Sequence, residues 1–143
     1  MQTPDLTLSD THEVAGMHEV VVEREFQCEA EPLWVLTSDF GGLQAWLPGV
    51  LGCVVEGAGA ADNGGNAVRR VQLMDGSVTV ESLDSFDQGA RRYVYSILAA
   101  KGFDANSRFQ ASFQVEPTGP GHCRVIWSAR FTLPEGLAPE KAA

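Results

Sequence analysis

The chain offers little material for metal or disulfide chemistry. Its 143 residues contain three cysteines, Cys28, Cys53 and Cys123, an odd number set far apart and in no CxxC pair. The histidines, His12, His18 and His122, stand at no ligand spacing to them, so neither a metal nor any other cofactor is expected. Reduced, partly buried thiols in a cytoplasmic protein are the expectation. The same histidines fall in the N-terminal stretch or at a turn, so no Ser-His-Asp or Cys-His arrangement can be assembled. Basic charge is also scarce: ten Lys and Arg face nineteen Asp and Glu, a net charge of −9. A protein that neutralises nucleic-acid phosphates with clustered cations is thereby excluded. No apolar run approaches the roughly 18 residues of a membrane span. Met1 to Gly16 has neither a basic start nor an apolar stretch, and no secretory signal is read there.

The acidity is local. Residues 1–31 hold eight acids against the single base Arg24, whereas the remaining acids and bases nearly balance. A solvated, solubilising edge is the simplest reading of that excess. Residues 1–17 read as a polar leader, in which Ser9-Asp10-Thr11-His12 could cap one helical turn. From Glu19 the period becomes two, with Val20, Val22, Phe26 and Cys28 on one face, interrupted by Arg24, and Val21, Glu23, Glu25 and Gln27 on the other. Ala30 to Phe40 carries Pro32 in its first turn and Leu33, Leu36 and Phe40 at helical spacing, with Trp34 beside them. Gly41-Gly42 stops that helix, and a second short one over Leu43–Trp46 ends before Pro48-Gly49. Trp34 and Trp46 read as packing residues between helices and sheet, and Asp39 as the cap of the following turn.

The glycines at 57, 59, 64 and 65 lie between strands beside Asp62 and Asn63, the composition of a turn and not of a phosphate-binding loop. Apart from that loop, the chain after Pro48-Gly49 is all strand, at about 50–57, 67–74, 77–84, 91–99, 107–116 and 122–132. Asp75-Gly76 is the strongest hairpin signal, and Thr118-Gly119-Pro120-Gly121 marks another. One strand, two short helices and six further antiparallel strands define an α+β domain with one long curved sheet.

This ordered set resembles a known superfamily. The strand, the Ala30-Glu31-Pro32-Leu33-Trp34 helix, Asp39-Phe40, Trp46-Leu47-Pro48 and the six-strand run are similar to SRPBCC (START-like, helix-grip) proteins. These include lipid carriers, birch-pollen-allergen-like proteins, plant abscisic-acid receptors and bacterial polyketide cyclase/dehydrase-type proteins. The stretch Val68 to Leu73, Asp75-Gly76, Val80 to Asp84 and Arg92 to Ile97 carries most of the likeness to the bacterial group, together with Phe109 to Val115 and Val125 to Ser128. The resemblance implies a curved seven-stranded antiparallel sheet and two short helices around an apolar cavity, over residues 18–136. The matching inward positions are Arg69, Val71, Leu73, Thr79, Glu81, Leu83, Tyr95, Ile97, Phe109, Ala111, Trp127 and Ala129. Met74-Asp75-Gly76-Ser77 stands where the plant receptors have their gate, and Lys101-Gly102-Phe103-Asp104 lacks their latch, so a hormone-gated switch is not implied.

In this superfamily a long C-terminal helix closes the cavity, and here it is apparently missing: only a short tail, 137–143, follows Pro134-Glu135-Gly136. That would leave an apolar face containing Phe109, Phe113, Trp127 and Phe131 in water, at a cost comparable with a domain's stability. The expectation is therefore either a truncated form of a longer chain or a covered opening, with self-association into a homo-oligomer as the cover.

The register of the 67–84 hairpin decides the polar site. A two-residue turn at Asp75-Gly76 pairs Arg70 with Glu81; the superfamily pattern turns Arg69 inward, which needs a bulge or a longer turn and also brings Val71 and Leu73 inside. The pair reads as a structural ion pair at the cavity rim, as an anchor for an anionic group of a ligand, or as a site where Glu81 acts as acid/base. Tyr93 and Tyr95 read as wall residues, with the Tyr95 hydroxyl available to a ligand. The function implied is binding of a hydrophobic lipid-, polyketide- or aromatic-like small molecule, without metal or nucleic acid. The alternatives are a cyclase/dehydratase using Glu81 and Tyr95, and an accessory protein docking a partner through the open face.

Overall fold

The computed structural model describes residues 7–14 (backbone only), 17–56 and 67–132. Its strands are β1 (Thr7–Val14), β2 (Met17–Phe26), β3 (Val50–Glu56), β4 (Val68–Leu73), β5 (Val78–Asp87), β6 (Arg92–Ala99), β7 (Phe109–Gly119) and β8 (His122–Phe131). They form one antiparallel sheet in the order β1-β2-β8-β7-β6-β5-β4-β3. Seven of these are the predicted strands. The eighth, β1, replaces the helical turn expected at Ser9: Thr7–Val14 pairs antiparallel with β2, from Thr7↔Glu23 to Val14↔Met17. An edge strand's backbone groups satisfy that segment better than an isolated turn would.

Strands β2 and β3 follow one another in sequence but lie far apart in the sheet, so the connection must cross its inner face. The crossing is made by helix α1 (Ala30–Thr37) and a 3-10 turn at Leu43–Ala45. Acidic side chains tie the start of α1 to two hairpin turns. Glu29 Oε1 accepts from the Gly121 amide at 2.6 Å, and Glu31 Oε2 from Arg91 Nε at 2.9 Å. The buried face of α1 is Ala30, Trp34 and Thr37, not the Leu33-Leu36-Phe40 stripe expected from the spacing; Leu36 is exposed and Leu33 half-buried. The helix ends after Thr37, before Phe40, and its rotation is set by Trp34, which packs on Phe86 and Tyr93 with ring centroids 5.4 and 6.1 Å apart. Gly41 then allows the chain to approach β3, since a Cβ there would stand 2.7 Å from Val55 Cγ2.

Two register shifts between β5 and β6 leave one extra residue on each strand, Leu98 on β6 opposite Val80/Glu81 and Asp84 on β5 between Leu83 and Ser85, and such bulges bend the strand and increase its twist. Alternation places Val71, Thr79, Glu81, Leu83, Tyr93, Tyr95, Ala111, Phe113 and Val115 inside, all buried. The outer face of the same strands is polar at its centre. Asp84, the extra residue of one bulge, accepts from the Ser82 and Ser96 hydroxyls and from Gln110 Nε2, and Ser112 bonds Ser128 across β7 and β8.

The aromatic face expected to be open is largely covered in the described residues. Phe113 is 1% exposed, and Phe109, Trp127 and Phe131 are half-buried. Trp46 supplies part of the cover, lying 5.4 Å from Phe113 and 5.7 Å from Trp127 between ring centroids. The expected short tail and missing helix concern residues 133–143, outside the described residues, as does the glycine loop at 57–66.

Candidate functional site

The hairpin between β4 and β5 settles which arginine faces inward. Gly76 adopts φ +88°, a left-handed conformation that glycine reaches without the Cβ penalty. The Gly76 amide donates to Leu73 O, and the Leu73 amide to Ser77 O, each at 3.0 Å. The loop is therefore three residues long, Met74-Asp75-Gly76, instead of two, and this is the longer turn that the inward Arg69 requires. Asp75 Oδ1 clamps it by accepting from the Ser77 amide at 2.8 Å and hydroxyl at 2.5 Å; these contacts hold the Asp75 carboxyl below its ordinary range. The resulting register pairs Arg69 with Glu81 and Val71 with Thr79 inside, and Arg70 with Val80 outside.

Arg69 is 2% exposed and Glu81 8%. Arg69 Nε donates to Glu81 Oε1 at 2.7 Å, and Nη2 lies 2.6 Å from the same oxygen. The third nitrogen, Nη1, donates to the Phe40 carbonyl at 3.1 Å, which the Cys53 thiol also approaches at 3.6 Å. Aromatic rings complete the enclosure: the guanidinium carbon lies 4.1 Å from the Phe40 ring centroid and 5.1 Å from that of Tyr95. The pair is thus an interior feature and not a rim one.

Electrostatics follow from that enclosure. Burial opposes the guanidinium charge, but Glu81 and the two phenols outweigh it and hold Arg69 above the ordinary arginine value. Burial pushes the Glu81 carboxyl above its usual range, and Arg69 pulls it back only in part. Burial likewise pushes Tyr93 up to about 12 against the pull of Arg69, and raises Tyr95, with the Glu81 charge adding to the effect. Both phenols are neutral at physiological pH. Trp127 Nε1 donates to Tyr95 Oη at 3.0 Å, which leaves the Tyr95 proton free to point elsewhere. Two indole N–H groups, of Trp34 and Trp46, are buried without a hydrogen-bond partner.

All twelve residues expected to face inward do so, but not equally. Arg69, Val71, Thr79, Glu81, Leu83, Tyr95 and Ala111 are buried, whereas Leu73, Ile97, Phe109, Trp127 and Ala129 are half-buried. The same interior holds Tyr93, expected as a wall residue, Phe113, expected on the apolar face, and Trp46, expected to pack between helices and sheet, together with Phe40. Tyr93 and Phe113 share the alternation of Tyr95 and Ala111, which is what places them on this face. The Phe40 carbonyl carries no sequence signal at all.

The cysteines are closer in space than in sequence. Cys28 Sγ and Cys123 Sγ lie 3.8 Å apart, and burial together with its neighbour pushes the Cys123 thiol up to about 11. Among the described residues no cluster of His, Cys, Asp and Glu could hold a metal ion, and no helix is long and apolar enough to cross a membrane.

Similar folds are known. A Bacillus cereus protein, XoxI, is 28% identical, with a TM-score of 0.73 over 87% of this chain and 81% of its own. A Thermobifida fusca protein is also 28% identical, with a TM-score of 0.69 over 87% and 77%. A norcoclaurine synthase variant from Thalictrum, solved with a transition-state analogue, is 19% identical with a TM-score of 0.66 over 88% and 79%, a likeness of fold alone. No curated protein matches the chain. The sequence model for polyketide cyclase/dehydrase and lipid transport proteins matches residues 17–143, nearly the whole chain and every strand from β2 to β8, and the chain belongs to that family.

Proposed function

We propose that this protein binds a hydrophobic small molecule, lipid-, polyketide- or aromatic-like, between the inner face of the sheet and the α1 and 3-10 crossing. The observation that carries this reading is the make-up of that face. Aromatic and aliphatic side chains continue across β4 to β8, and their one ion pair is already closed on itself. Binding sites for apolar ligands have this character, an apolar lining with few placed polar groups. Membership of a family that includes lipid transport proteins supports it. The reading as a cyclase or dehydratase asks Glu81 and Tyr95 to exchange protons with a substrate. Two guanidinium nitrogens on one Glu81 oxygen, and a phenol held neutral by burial, suit positioning better than proton transfer. The setting proposed is cytoplasmic, in keeping with three free thiols.

Native mass spectrometry of freshly purified protein, with a denatured control, tests this. A chain carrying a few hundred extra daltons (about the mass of a small lipid or polycyclic compound), lost on denaturation, is the expected result. A uniformly empty chain that also takes up no added apolar compound would overturn it. The same spectrum reports oligomeric state; an empty dimer would favour self-association through the inner face as its use.

A further inference from the structure

Building on the hydrophobic-ligand reading, we infer that the interior selects an uncharged aromatic ligand bearing a hydrogen-bond acceptor, such as a ketone, over the corresponding carboxylate. Arg69 is the natural anchor for an anion, but it is not available as one. Its Nε and Nη2 are spent on Glu81 Oε1, its Nη1 on the Phe40 carbonyl, and the Phe40 and Tyr95 rings lie against it. An entering carboxylate would find a cation already neutralised, and the few neutral N–H and O–H donors nearby would offset only part of the hydration that a full charge loses.

Donors for a neutral acceptor are present on the same side. The Trp46 indole packs against Phe113 and Trp127, and its N–H is buried and unpartnered. Trp34, 0% exposed, has the same defect one layer away, against Phe86 and Tyr93. Tyr95 takes its hydrogen bond from Trp127 and so keeps its own proton to give. A buried donor without a partner is costly, and an acceptor brought by a ligand removes that cost. Donors without acceptors, beside a closed ion pair, define a carbonyl-seeking and anion-rejecting interior.

The test compares three probes of nearly equal size by isothermal titration calorimetry on the full chain: 2-acetylnaphthalene, 2-ethylnaphthalene and naphthalene-2-carboxylate. The ketone should bind tightest, with the ethyl compound about tenfold weaker and the carboxylate weaker still. Trp46→Phe alters the wall met by both probes, so the readout is their ratio: the ketone's advantage over the ethyl compound should shrink, and an unchanged ratio would overturn the role given to the Trp46 N–H. Glu81→Gln uncovers the Arg69 charge and should raise carboxylate affinity relative to ketone at least about tenfold. Should that variant not fold, the paired Arg69→Met/Glu81→Leu replacement keeps the interior neutral and should keep the ketone first. A carboxylate that binds the native protein as tightly as the ketone overturns the inference and leaves the hydrophobic-ligand reading standing. Binding of none of the three overturns that reading and the inference with it.

Discussion

Arg69 and Arg70 are neighbours in one strand, and each is paired with a glutamate from an adjacent strand. The Arg70–Glu56 pair, 3.2 Å apart, has side chains 55% and 54% exposed; the Arg69–Glu81 pair, at 2.6 Å, has side chains 2% and 10% exposed. One residue of alternation separates a contact that water can replace from one that it cannot. Outside, the pair is a solvated decoration of β3 and β4. Inside, it is a neutral polar unit that lets two charges live among aromatic rings, and its closure determines what else the interior can hold. The comparison shows how much chemistry hangs on a single extra residue in the loop before Gly76, because shifting the register by one would exchange the two arginines.

The largest effect separating the two faces should come from removing one partner. Glu81→Ala leaves Arg69 buried and unpaired and should cost about 3–5 kcal/mol in urea-induced unfolding. Glu56→Ala should cost less than about 1 kcal/mol, and the difference should shrink in salt for the outer pair only. Equal losses at the two sites would remove the distinction drawn here. Replacing both inner partners, Arg69→Met/Glu81→Leu, should by contrast be close to neutral.

The second effect is on alkaline behaviour, because both tyrosines of the chain are on the inner face. The folded protein should show no tyrosinate absorbance near the ordinary value of 10, and the signal should appear together with unfolding. The sign follows from the raised folded-state values: the stability contributed by the neutral phenols is complete below the unfolded value and is lost as pH rises through the folded one, about 12 for Tyr93. Titration of either tyrosine near 10 in folded protein would place it on a wet surface instead.

At the acid end the same reasoning applies to Glu81. Its raised carboxyl contributes stability below the ordinary value of 4.5, and this contribution drains away as pH rises through the folded-state value. Relative to the Arg69→Met/Glu81→Leu variant, the native chain should therefore lose some stability on going from acid to neutral pH, read from urea midpoints. A gain over that interval would mean that Arg69 dominates the burial cost. The smallest effect is at the turn. Gly76→Ala finds open space but a left-handed backbone, and should cost about 1 kcal/mol without disturbing the Arg69–Glu81 register, as read from cross-strand amide contacts by NMR.

The positions and approximate boundaries of seven strands were legible in the sequence because they rest on period two and on turn residues, both local signals. The inner lining was legible through the resemblance to the superfamily, which supplied the inward positions along those strands. The turn residues alone did not fix the hairpin register, since Asp75-Gly76 fits a two-residue turn as well as the end of a three-residue one; the superfamily pattern and the gain of Val71 and Leu73 inside favoured Arg69, and the pairing across β4 and β5 agrees. The rotation of α1 escaped the pattern because Leu36, apolar but exposed, and the half-buried Leu33 fall at helical spacing with Phe40, while Ala30 and Thr37 supply part of the real buried face. Strand β1 escaped because its pairing with β2 depends on an available sheet edge and not on its own polar sequence. The Phe40 carbonyl, which completes the Arg69 cage, is backbone and leaves no trace in side-chain chemistry.

The measurement closest to the central claim is a methyl-region carbon–proton NMR titration with 2-acetylnaphthalene. Saturable shifts confined to Val71, Leu83, Ile97 and Ala111, with Val54, Val78 and Leu98 of the outer face or rim unmoved, are what an inner-face ligand site predicts. Shifts confined to Val54, Val78 and Leu98, or no saturable shift anywhere, would contradict it.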